Sequence, residues 1–326
     1  MEILIGVLVV LCLWRLRFCK DGFFGDGLSL ESTRCLRGIL AVTVVLHHFY
    51  KEAGGGPAKL LFSNLGVLCV AGFLFLSGYG LQKSLEAKPD YGKIILKRQL
   101  PAILVPFLML VPLYWGLYTL IGKPYTLAQV LESLLSDDPI VRFGWYTLCQ
   151  SMLYVLYWLC CRFVHGKHMV PVVTVATLLL IWVLQMLDFA PFWYYPMVAF
   201  PMGVFWGAEE ARILPQLKKR YWLWMTGCVL LFGGFFVLAL MTFRTVFFWA
   251  AVGGFVLVLI LLLEKWAFRN PALSFLGGLS FEIYSLHGFF MLLYRSRIVY
   301  MESDLIWGGA VLLSTIPAAW LLRRIL

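Results

Sequence analysis

Charge is what this sequence has least of. Asp, Glu, Lys and Arg make up 13% of its 326 residues against 62% hydrophobic, and mean hydropathy is +0.86. That is too little polar surface for a water-soluble fold, which excludes one. Cysteine, with eight residues, shows no CxxC and no Cys/His metal spacing, only the adjacent pair Cys160 and Cys161. Neither a disulfide framework nor a zinc site is indicated, and the cysteines read as small core residues. There is no internal repeat, no low-complexity tract and no separate soluble domain. The formal charge of +10 therefore has no basic domain to decorate, and no nucleic-acid partner is expected.

What is there is a series of apolar runs bounded by charge or by Gly and Pro. They predict spans near 38–50, 60–82, 102–121, 145–164, 169–187, 192–208, 221–241, 246–263, 276–294 and 305–322. The fold class is all-α, a polytopic membrane helical bundle of about ten transmembrane helices. Of the 27 Lys and Arg, 20 fall in the N-terminal stretch, alternate loops and the C-terminal end, and 7 on the opposite side. The positive-inside rule puts the richer side, with Arg323 and Arg324, in the cytosol. Residues 1–32 form an N-terminal apolar segment and linker. Its run MEILIGVLVVLCLW has basic residues after it and no small-residue cleavage site, so it reads as an extra span or an interfacial helix, with the span preferred. Residues 33–322 are the membrane domain and 323–326 a cytoplasmic tail.

The outer loop before the fourth span carries Leu127, Val130, Leu131, Leu134 and Leu135 at helical spacing, and Thr126 with Gln129 can make a capping box. An amphipathic helix is expected there, with a simple connector resting on lipid as the alternative.

The stretch CLRGILAVTVVLHHFY, residues 35–50, raises the functional question. Arg37 and His48 are eleven residues apart, so on a helix they share a face about 16 Å apart, with compact Ala41 and Val44 between them and His47 turned about 100° away. Ionisable groups within a membrane usually mark a pathway or a site. A guanidinium at the inner mouth suits phosphate or pyrophosphate, and a histidine in a dry setting stays neutral and able to take a proton. The competing reading has Arg37 reaching lipid headgroups and His48 bonded to a neighbouring helix. Glu52, one turn beyond His48, would orient the imidazole if the helix persists that far, and Gly54–Gly56 suggest that it ends nearby.

At these residues the chain resembles the acyltransferase 3 family of integral membrane proteins. LRGILAVTVVLHH matches its opening motif, a basic residue, ten residues and a histidine. GFLFLSGYGL (72–81) is similar to FFxLSGY and supplies Ser77, Gly78 and Tyr79. KRQLPAILVPF (97–107) is similar to the basic-then-proline opening of the third span, although Pro101 stands three residues after Arg98 where the family pattern has a second arginine. Ala71 lies where an acidic residue often precedes FFxLSGY. LGGLSFEIYSLHGFF (276–290) resembles SYxIYLxH, with Ser280, Glu282, Tyr284 and His287. The resemblance covers residues 33–322. It implies a ten-span bundle that moves an acyl group, commonly acetyl, from cytosolic acyl-CoA to an extracytoplasmic sugar hydroxyl, an O-acyltransferase in a bacterial plasma membrane. It implies that His48 is catalytic and that Arg37, with Lys97 and Arg98, binds the donor. His48 would then act as a base or as an acyl-imidazole carrier.

The expected partners are acyl-CoA, a carbohydrate or lipid-linked sugar acceptor, and the bilayer; no cofactor stays bound and no metal is called for. Glu52, Ser77, Tyr79, Glu282, Tyr284 and His287 are possible pocket residues; the alternative is an interhelical hydrogen bond for Glu282 and His287, and packing or a helix-terminus role for Ser77 and Tyr79. Trp145 and Tyr146 read as an interfacial belt, with a sugar-stacking platform as the other reading. His165 and His168 read as a solvated loop, since two ligands are weak evidence for a metal. The glycine pairs 233–234, 253–254, 277–278 and 308–309 read as close helix contacts. A transporter or flippase of a lipid-linked sugar is the alternative class; it predicts paired broken helices in matching halves, which the hydropathy does not show. With the chain closing just after its last span, transfer is expected to be direct or through a separate partner.

Overall fold

The computed structural model describes residues 2–25, 27–53, 58–88, 90–134, 136–164 and 166–326, the side chain of Lys167 excepted. Along the chain run α1 (Glu2–Leu13), β1 (Leu16–Phe18), α2 (Leu30–Glu52), α3 (Lys59–Phe62), α4 (Gly66–Ala87), α5 (Tyr91–Leu120), α6 (Leu127–Ser133), α7 (Trp145–Phe163) and α8 (Met169–Met186). They continue as α9 (Ala199–Lys219), α10 (Tyr221–Thr242), α11 (Thr245–Lys265), β2 (Trp266–Phe268), α12 (Pro271–Gly278), α13 (Ser280–Leu293) and α14 (Asp304–Ile325).

This is a helical membrane protein. Among the described residues, α4, α5, α8, α10, α11 and α14 are long and apolar enough to cross a bilayer, and α12–α13, bent by 75°, make a seventh span if taken together. Every span range read from the sequence overlaps a helix, though 60–82 is divided between α3 and α4 and 192–208 begins in turns, and α2, α7 and α9 do not pass that measure. Charged ends on α2 and α9, and Trp, Tyr and Gln along α7, lower their hydropathy. α10 has few packed residues: Leu230 is 70% and Met241 73% exposed, as a lipid-facing helix requires. α1, at twelve residues, is about 18 Å long and does not by itself cover a hydrocarbon core of about 30 Å.

Several boundaries move for identifiable reasons. α5 begins at Tyr91, well before the range 102–121, and carries Pro101, Pro106 and Pro112 inside it; prolines that end helices in water are tolerated within a membrane bundle. α9 starts at Ala199 because residues 191–198 form turns, and it runs on through charged Glu209–Lys219. α6 forms with its capping box complete: the Thr126 side chain accepts from the Gln129 backbone N–H, and Gln129 Oε1 accepts from the Thr126 N–H at 2.9 Å. Leu135, the last residue of the expected apolar face, lies outside the described residues, as do residues 54–57.

The two larger of four apolar clusters among the described residues are centred on α4, α7, α8, α9 and α11 and on α2, α5, α13 and α14. α2 packs on α4 where they meet. α2 crosses α12 with Gly38 against the Leu273 carbonyl and Gly277 against the Arg34 carbonyl, leaving no room for a Cβ at either. Of the glycine pairs singled out from the sequence, Gly254 and Gly277 make such close approaches, while Gly233, Gly234, Gly278 and Gly309 face open space, as lipid-directed positions do.

The N-terminal segment is tied to the other end of the chain. β1 pairs antiparallel with β2, Leu16 opposite Phe268, and Lys265 Nζ donates to the carbonyls of Cys19 and Lys20 at 3.1 and 3.3 Å. Asn270, 1% exposed, caps α12 with its side-chain oxygen. Its amide donates to the carbonyls of Leu11 and Trp14.

Candidate functional site

α2 carries the first half of the site. Ser29 caps it by accepting from the Ser32 N–H, and the helix runs unbroken through Glu52. Arg37 and His48 therefore lie on one stripe about 16 Å apart, with Ala41 and Val44 buried between them. Arg37 opens on a cavity of about 710 Å³, within the usual range of about 300–1,000 Å³ for small-molecule sites. Its walls come from α2, α4, α5, α7, α13 and α14, and Leu28, Ser29 and Leu30 edge it.

One wall is a hydrogen-bonded chain. Tyr146 donates to Gln150 Oε1 at 3.2 Å, Gln150 Nε2 to Ser77 Oγ at 2.9 Å, and Ser77 Oγ to the Tyr154 hydroxyl at 3.1 Å. Lower on α4, Lys83 Nζ sits 2.7 Å from Glu210, whose carboxylate also accepts from the Tyr79 hydroxyl at 3.0 Å. Opposite, Glu282, 2% exposed, pairs with Arg323 at 3.2 Å. Three cations, Arg37, Lys83 and Arg323, thus face one space, two of them held in place by carboxylates.

His48 does not line this cavity. The rings of Tyr146 and Tyr284 meet edge to face at 5.1 Å, and beyond Tyr284 lie three more rings. Phe143 stacks on His48 at 3.6 Å between centroids, while His287 is 5.2 Å from each of them. Phe143 has φ 64°, and the Tyr284 hydroxyl donates to its carbonyl. His47 points elsewhere, with Nδ1 3.0 Å from the Phe62 carbonyl. The carboxylate of Glu52 is bonded to Arg142 at 2.5 Å; the expected orienting contact with His48 gives way to this stronger, charged partner.

The structure thus brings Arg37, Ser77, Tyr79, Glu282 and Tyr284 to the cavity, and sets His48 beside His287 beyond it. Ser77 and Tyr79 stand mid-helix with polar partners, away from any helix terminus. Tyr146, read from the sequence as part of an interfacial belt, faces the cavity because α7 starts there and turns it inward. Lys97 and Arg98 are exposed on α5 and off the cavity wall, where Tyr91 and Gln99 stand instead. Sequence reasoning passed over Lys83, although it follows Tyr79 by four and so shares its face, and it read Arg323 only as a tail charge. Phe143, Gln150 and Tyr154 carried no signal beyond composition. Among the described residues no group of three or more His, Cys, Asp or Glu is placed to hold a metal; His168 is exposed and His165 lies outside the described residues.

A family model described as an acyltransferase domain matches residues 31–324, nearly the whole chain. No curated protein and no solved structure matches it.

Proposed function

The chain belongs to the acyltransferase 3 family, and from that premise we propose that it moves an acyl group, acetyl first among candidates, from acyl-CoA to a hydroxyl of an extracytoplasmic glycan. The observation that carries this reading is the disposition of Arg37 and His48 on one unbroken helix, the first in a cation-lined cavity, the second about 16 Å further in, behind the tyrosine pair. A phosphate-rich head on a long thin arm ending in a thioester matches that layout. Arg37 supplies bidentate hydrogen bonds to phosphate, and Lys83 and Arg323 add charge to the same walls. The arm passes the tyrosines to reach His48, which takes the acceptor proton or carries the acyl group itself. The charge count supports a cytosolic donor side, with Arg37, Lys83 and Arg323 facing it; the bacterial plasma membrane is part of the proposal.

The test is CoA thiol release by the purified protein from acetyl-CoA, with succinyl- and longer acyl-CoA as further donors. Arg37→Ala is expected to raise KM for the donor at least ~10-fold, a loss of about 1.4 kcal/mol or more, and His48→Ala to lower turnover at least ~100-fold. Full activity in purified His48→Ala refutes the assignment. No thiol release from any acyl-CoA would favour the transport of a lipid-linked sugar instead.

A further inference from the structure

His287 presents a buried acceptor with nothing to accept from. The residue is 0% exposed, and its Nδ1 lies 3.2 Å from the Ile283 carbonyl, one turn back on α13. A carbonyl only accepts, so Nδ1 carries the ring hydrogen and Nε2 is left with a bare lone pair. Among the described residues no group bonds to that nitrogen. An unpaired buried acceptor is destabilising, and an apolar side chain here would avoid the cost. The imidazole that bears it stands 5.2 Å from the ring of His48, and the Phe143 ring touches both.

The chemistry at His48 supplies a use for that lone pair. If His48 carries the acyl group, its own lone pair is consumed, and it no longer removes a proton from the acceptor. A second base must then stand within reach of the same carbon. We propose that His287 is that base and that transfer runs in two steps; this rests on the acyl-CoA reading above. In the first step the unprotonated nitrogen of His48 bonds to the thioester carbon and the C–S bond breaks. CoA leaves as the thiolate, and His48 becomes a positively charged acyl-imidazole that keeps its N–H. In the second step the acceptor oxygen attacks the same carbon while Nε2 of His287 takes the hydroxyl proton. The C–N bond breaks and its electron pair returns to His48, neutral again. The His287 imidazolium then gives its proton to the thiolate or to water, so thioester and alcohol have become ester and thiol.

The experiment uses the full-length protein in detergent with acetyl-CoA labelled in the acetyl group, and water and glycerol as acceptors. The first step is read as the burst of thiol, and the second as the lifetime of label on the protein. His287→Asn is the informative variant, because its side-chain amide keeps a donor to the Ile283 carbonyl and removes only the Nε2 position. The burst is expected to stay within ~3-fold of wild type while the labelled protein persists at least ~100-fold longer. Label should be absent from His48→Ala, and added imidazole should shorten the lifetime in His287→Ala. Burst and discharge falling together, or discharge unchanged in His287→Asn, overturns the assignment of His287. Thiol release by wild type with no label on the protein overturns the two-step route. Failure of wild type to release thiol from acetyl-CoA or any other acyl-CoA overturns the donor reading, and this inference with it.

Discussion

Phe143 holds φ at 64°, where a bulky side chain costs about 1–2 kcal/mol against the ordinary helical region. Three contacts keep it there: the stack on His48, the Tyr284 hydroxyl on its carbonyl, and the neighbouring Arg142 tied to Glu52. The ring fills the space beside both imidazoles, and on the proposed function it would keep water from the carbon that reacts. Phe143→Ala is therefore expected to raise acceptor-independent hydrolysis of acyl-CoA by about 10-fold, read as thiol release without alcohol. It should also lower stability by about 1–3 kcal/mol, the lost packing of a half-buried ring being partly offset by relief of the strained backbone. At this scale the sequence was legible where a single helix sets the spacing: Arg37 with His48, Ser77 with Tyr79, Glu282 with Tyr284. It was silent on Phe143, because a left-handed residue that is neither Gly nor Asn leaves no compositional trace. The facing of His48 and His287 was equally hidden, being a tertiary fact between α2 and α13.

Helix crossings set that facing. At Gly38 the atoms a Cβ would meet are the backbone of α12 itself, so the two helices can only separate. Gly38→Val is expected to lower stability by about 1–3 kcal/mol, visible as an earlier thermal transition, and to reduce acyl transfer more than that loss of folded protein explains. The same holds where Gly78 and Gly203 bring α4 against α9. Asn270 is the corresponding polar joint. Asn270→Ala leaves the Leu11 carbonyl and the first turn of α12 without their side-chain partner, at a cost of about 1–3 kcal/mol. Limited proteolysis near residues 14–25 should report the loosening. Hydrophobic runs foretold where helices lie, but missed how far they extend. Apolar reading stops at the first charges, whereas α9 continues through Glu209 and Lys218, paired with Arg212 and Glu264.

For the whole molecule, the charge asymmetry makes a claim about sidedness. In a variant with its eight cysteines replaced, Glu302→Cys should react with a membrane-impermeant maleimide in intact cells, and Lys88→Cys only after permeabilisation; the reverse pattern would put the donor cavity on the wrong side for cytosolic acyl-CoA. The helical membrane class was plain from composition alone, while the number of spans was not, because helices that line a polar cavity lose the hydropathy by which spans are counted. The joint between Asn270 and Leu11 also bears on biosynthesis. The two residues stand 259 positions apart, so at about 5–20 residues per second the ribosome needs roughly 15 to 50 s to supply the second after the first. For most of that interval, from the completion of α2 onward, His48 is made while α12 and α13 are missing. A nascent chain thus carries Arg37 and His48 before it has the residues that complete the cavity and the His287 contact, and on the proposed function it gains acyl transfer only once α12 and α13 have been inserted.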